Sequence, residues 1–146
     1  MVAALPKDDF FVDTNLFLRY LTDDIPEQAD RVERLLQRAK AADISLFTNV
    51  LVIAEIVWTL ESYYHRSKVR IRDDILGILN TPGLAVEEAA LVADAVDLYA
   101  RLNVDFVDAF NALWMRQHEL ESVLTFDAKH YARLPGVVPL APDKIR

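Results

Sequence analysis

Short apolar runs of strand character alternate along this chain with longer stretches of helical period, and that alternation most narrows the fold available to it. The runs are Phe10 to Val12, Ile44 to Thr48, Leu84 to Val86, Val123 to Phe126 and Val137-Val138. Leu16 to Leu21 follows the first as a short helical segment. Then "IPEQADRVERLLQRAKAAD" places Pro26 near a helix start and Val32, Leu35, Leu36 and Ala39 on one face. A third helix begins after Asn49, with Leu51, Ala54, Val57 and Trp58 as its apolar positions. A fourth spans Val69 to Leu79, using Ile71, Ile75, Ile78 and Leu79, until Thr81-Pro82-Gly83 breaks it. Glu87 to Leu102 carries Leu91, Ala95, Leu98 and Leu102 at helical spacing, and Asp105 opens a last long helix to about His118. Strands separated by helices point to an α/β fold: a central, mostly parallel sheet covered by helices on both faces.

At 146 residues the chain is expected to form one domain with a proper core, without internal repeats or a Gly/Ser linker. Its longest apolar stretch, Val50 to Leu60, is interrupted by Glu55 and falls short of the roughly 20 residues of a membrane span. Met1 to Asp9 has neither a basic region nor an apolar signal core, so the cytoplasm is the expected compartment. There is no cysteine, which removes disulfides and thiol chemistry, and three scattered histidines (His65, His118, His130) make a poor zinc set. Any metal would be a hard cation held by oxygen. The net charge of −7 argues against general attraction for nucleic acid but leaves room for a local basic track. "HRSKVRIR", with Arg66, Lys68, Arg70 and Arg72, is the richest one, and a solvated connector between two helices explains it equally well.

The acids stand out more. Phe10-Phe11-Val12 stops at Asp13, and Val123 to Phe126 stops at Asp127. In a parallel sheet, carboxylates placed after two strands emerge at the same edge, where open α/β sheets bind ligands. Glu55 interrupts an apolar helix, and Asp108 sits in the first turn of its own. Each has a structural explanation when taken singly: Asp13 and Asp127 as helix caps, Asp105 and Asp108 as cap and first-turn acid, Glu55 on an exposed stripe. Taken together they suggest a site, because only folding can gather residues so far apart in sequence. Two carboxylates about 4 Å apart repel by about 1 kcal/mol in water and about 4 kcal/mol at the effective dielectric of a protein surface, so a cluster of four calls for a cation. Oxygen-only ligation suits Mg²⁺ or Mn²⁺, and phosphodiester hydrolysis is the chemistry such a site suggests. Asn15 and Thr125 stand beside two of the acids, placed to orient ligands. No histidine is expected at the site, so water is expected to protonate the leaving oxygen.

At these residues the chain resembles the PIN-domain ribonucleases, especially the VapC-like toxins of prokaryotic toxin–antitoxin pairs. The resemblance rests on "VDTN" at Val12 to Asn15, "AE" at Ala54-Glu55, "DFVDA" at Asp105 to Ala109 and "LTFDAKHYARLPGV" at Leu124 to Val137, in this order. It implies a PIN-like α/β fold over residues 1–146, with 1–9 as an N-terminal extension. It also implies Asp13, Glu55, Asp108 and Asp127 as catalytic and metal-binding acids, with Asn15 and Thr125 as supporting residues. Asp105 is assigned to capping or outer support. The family further implies Mg²⁺ or Mn²⁺, endonucleolytic cutting of RNA, a homodimer and a VapB-like antitoxin partner. A non-catalytic PIN module that binds RNA or serves as a scaffold is the alternative, and a DNA-directed nuclease a lesser one; four intact acids count against the scaffold.

Overall fold

The computed structural model describes residues 8–146, so the expected N-terminal extension lies largely outside the described residues. Its last residue does not: Asp9 opens the first strand, β1 (Asp9–Phe11). Two helices, α1 (Thr14–Thr22) and α2 (Pro26–Lys40), lead to β2 (Ser45–Thr48), and α3 (Val50–Ser62) and α4 (Lys68–Leu79) lead to β3 (Leu84–Val86). Next come α5 (Ala89–Leu102), α6 (Phe106–Gln117), β4 (Ser122–Leu124), the short α7 (Ala128–Ala132) and β5 (Val138–Leu140). Every expected strand and helix is present, shifted at its ends by a few residues.

The helix starts follow their sequence signals. Asn49 caps α3 through a bond from Val52 N (3.1 Å), Ser67 caps α4 through one from Arg70 N (3.2 Å), and Pro26 takes the first position of α2, where its missing N–H costs nothing. The break before β3 depends on Gly83. Its φ is +79°, and a Cβ there would lie 2.3 Å from the Ala39 carbonyl oxygen, so only glycine lets β3 approach the end of α2 this closely.

The strands form two sheets rather than one. β1, β2 and β3 pair in parallel in that order, Phe10 opposite Leu46 and Leu46 opposite Leu84, while β4 pairs in parallel with β5 alone. Thr48 Oγ1 donates to the Val12 carbonyl (2.9 Å) and Val12 N donates to the Phe47 carbonyl (2.8 Å), which pins the ends of β1 and β2 just before Asp13. One face of the three-stranded sheet, with Leu46 and Leu84, is buried under helices. The other is not covered by the described residues: Phe11 is 59% and Phe47 44% exposed, so among them the expected burial of both faces is met on one side only.

The core joins Leu46 to Ile53, Ile56 and Leu60 of α3, Ile71 and Ile75 of α4, and Val92, Val96 and Tyr99 of α5. In α3 the buried stripe is rotated from the expected one. Val52, Ile53, Ile56, Val57 and Leu60 face inward, and Leu51 (77%) and Trp58 (67%) face out. That helix is apolar nearly all round, so periodicity alone cannot choose its inner side. The rotation places Glu55 on the outer side, between Leu51 and Trp58. Within the described residues no helix is long and apolar enough to cross a membrane.

Candidate functional site

Asp13 leaves β1 in extended conformation and caps α1, its Oδ1 accepting from Thr14 N (2.8 Å). Its carboxylate is exposed, and Asn15 is exposed two residues further on. Behind them Thr14 is 3% exposed, and its hydroxyl has no partner among the described residues. Glu55 is exposed on α3.

The other acids come together around the first turn of α6. Asp105 caps this helix by accepting from Asp108 N (3.4 Å), which holds the backbone from which Asp108 projects. Half-buried Asp108 has its pKa raised, first by burial, then by the neighbouring Asp105 carboxylate, with a smaller push from Asp127. A hydrogen bond from Tyr131 and the charge of His130 act the other way. Asp127 follows β4, where Thr125 Oγ1 accepts its backbone N–H (2.9 Å), so Thr125 fixes the turn that presents it. His130 Nδ1 forms a short hydrogen bond with Asp127 Oδ2, and Asn111 Nδ2 donates to Tyr131 Oη (3.5 Å).

Two consecutive residues of α7 therefore hold two acids, His130 on Asp127 and Tyr131 on Asp108. Sequence reasoning missed both. It expected no histidine here, yet the turn at Asp127 folds α7 back over α6 and brings His130 in. The spacing of Asp127 and His130, one helical turn apart, was the available signal. Asp13 and Asp127 do not emerge from one sheet edge, because β4 belongs to the second sheet. Oxygen donors of this kind suit a hard divalent cation, but among the described residues no three acidic or histidine side chains converge closely enough to hold one.

The cations of the 65–72 segment are matched where they stand. Arg66 donates to Asp74 (2.5 Å) and to the Leu21 carbonyl (2.6 Å), Arg70 reaches the same Asp74 (3.5 Å), and Arg72 reaches Asp73 (3.2 Å). Lys68 donates to the Val104 carbonyl (2.9 Å), lies over the Tyr99 ring (4.4 Å) and sits 3.9 Å from Glu61, which accepts from the Tyr99 hydroxyl (3.0 Å). Burial and the Glu61 carboxylate push the Tyr99 phenol well above its ordinary range. Lys68 thus ties α4 to the residue that precedes the α6 cap.

Comparison with known proteins agrees with this architecture. A VapC ribonuclease of Aquifex aeolicus is 24% identical to this chain over 115 residues, which are 79% of this chain and 84% of that protein. The PIN domain profile matches residues 10–136, a span that runs from β1 to the loop before β5 and includes all four sequence-predicted acids. A parallel α/β core, a match over most of its length and the acids in their expected order lead to one conclusion: the chain belongs to the PIN domain family.

Proposed function

We propose that this chain is a divalent-metal-dependent endoribonuclease that hydrolyses RNA phosphodiester bonds, and that it is the toxin of a VapB–VapC-type toxin–antitoxin pair. The carrying observation is the gathering of Asp105, Asp108 and Asp127 at the start of α6, in a PIN-domain chain similar to a VapC ribonuclease. Asp13, Glu55, Asp108 and Asp127 are the proposed catalytic and metal-binding acids, with Asn15, Thr125 and Asp105 supporting them. Mg²⁺ or Mn²⁺, when bound, would polarise a phosphoryl oxygen and lower the pKa of a water. The chain's own residues do the positioning: Asp105 sets the backbone under Asp108, Tyr131 restrains the Asp108 carboxyl, and Thr125 and His130 fix Asp127.

The proposed partners are RNA, a VapB-like antitoxin and a second copy of the chain, in the cytoplasm. For the homodimer the structure favours α3. Ile71 and Ile75 of α4 are fully buried in the chain's own core, whereas Leu51, Trp58 and Tyr63 are exposed. The second reading, a non-catalytic PIN module, is favoured by the lack of three converging donors among the described residues. One assay separates the two. The purified chain should cut single-stranded RNA with Mg²⁺ or Mn²⁺, stop in EDTA, and lose cutting in Asp108→Asn. RNA left intact at every metal condition would leave the scaffold reading standing.

A further inference from the structure

With the 65–72 cations matched by carboxylates and carbonyls, the surface that best receives a polyanion lies elsewhere. Several clefts open among the described residues, and four of them have carboxylates in their walls: Asp73 and Asp74, Glu88 and Asp94, Glu61 and Asp105, or Asp94 and Asp97. Another, about 550 Å³ between α1 and α2, has none in its lining. Its polar wall is Asn15, Arg19, Gln28 and Arg31, over an apolar floor that includes Val32. In a chain of net charge −7, a cleft walled by two arginines and no acid spares a polyanion the repulsion it meets in those four.

The two arginines differ. Arg19 is held in place by Gln28 (3.0 Å) and Asp24 (3.3 Å). Arg31 has no carboxylate within ion-pair distance among the described residues, so its charge is available to a ligand. Asn15 joins this cleft to the candidate acids, since it lines the cleft and lies two residues from Asp13. A strand passing Asp13 would enter the cleft at Asn15 and meet Arg31 further along.

We propose that the α1–α2 cleft binds a single-stranded flank of the RNA substrate. Arg31 contacts a backbone phosphate, Asn15 and Gln28 hydrogen-bond to ribose or base, and the apolar floor takes a sugar or base face. This rests on the ribonuclease reading above. It moves the substrate track from α4, where the sequence suggested it, to α2.

The test uses the full chain carrying Asp108→Asn to prevent cleavage, and a fluorescein-labelled single-stranded RNA of roughly 12 nucleotides, a length within the usual site sizes for such binding. Anisotropy is followed between about 50 and 200 mM salt. Adding Arg31→Gln should weaken binding several-fold at low salt and flatten the log–log salt slope by about 0.7, the value for one lost single-strand phosphate contact. Arg31→Lys, which keeps the charge, should keep the slope and so separate lost charge from lost fold. Arg70→Gln with Arg72→Gln should leave the slope unchanged. An unaltered slope in Arg31→Gln overturns the proposal, and if that variant instead loses a VapB-like antitoxin, the cleft belongs to a protein partner. A slope lost only in the Arg70 and Arg72 variant also overturns it and returns the track to α4. If the parent binds no RNA at any salt, the ribonuclease reading falls with it.

Discussion

At Asp108 burial and a neighbouring carboxylate make the charge unfavourable. Burial and the Asp105 carboxylate raise its folded pKa above the unfolded value of about 3.9. Such a group contributes stability that is fully present below the unfolded pKa and is lost as pH rises through the folded one. Near neutrality the ionised side chain is therefore a strain. Asp108→Asn should melt at the same temperature as wild type or slightly higher at pH 7.5, and the difference should shrink as pH falls through the carboxylate range. Mg²⁺ should raise the wild-type melting temperature by linkage and the variant's much less. Scanning calorimetry at several pH values checks both statements; a variant clearly less stable at pH 7.5 would show that the carboxylate serves the fold. Asp108 and its cap Asp105 were legible as sequence because a helix start has strong local rules. Tyr131 was not, since its contact with Asp108 depends on how a five-residue helix folds back, which no local rule specifies, and His130 left only its one-turn spacing from Asp127 as a signal.

Among the elements, the α2–β3 junction has the least room for change. Gly83 combines a positive φ with a contact to Ala39 that a Cβ would violate. Gly83→Ala should destabilise the protein by more than about 1 kcal/mol, the scale for alanine forced to positive φ. Urea unfolding followed by circular dichroism measures it, and a midpoint equal to wild type would mean that the junction can open without loss. Strand and helix identities were legible because periodicity and punctuation agree along the chain. Two features were hidden. The inner face of α3 was misplaced because that helix is apolar all round, and the pairing of β4 with β5 alone is a long-range choice that three-residue strands do not encode.

The whole molecule presents an acidic surface interrupted by apolar side chains on neighbouring helices. Leu51 and Trp58 of α3 and Val107 and Trp114 of α6 are exposed, and α3 touches α6. If this face pairs two copies, Trp58→Glu should convert a dimer into a monomer without unfolding it, because Trp58 takes no part in the core. Light scattering at tens of micromolar reads the mass; a wild-type monomer, or a variant still dimeric, would remove α3 from the interface. The overall class was legible from composition and from the order of four short motifs. Oligomeric contacts were not, since an exposed tryptophan and a buried one look alike in sequence.

Both tryptophans of the chain are exposed, Trp58 on α3 and Trp114 on α6. Their emission therefore samples water and whatever docks there rather than the interior, whose large fully buried aromatic is Tyr99. Excited near 295 nm, the protein works as an optical sensor of association, with a blue shift as solvent leaves the indoles. On unfolding, Trp58, already wet in the folded state, changes little, whereas Trp114, 41% exposed and stacked on His118, reports the loss of that contact.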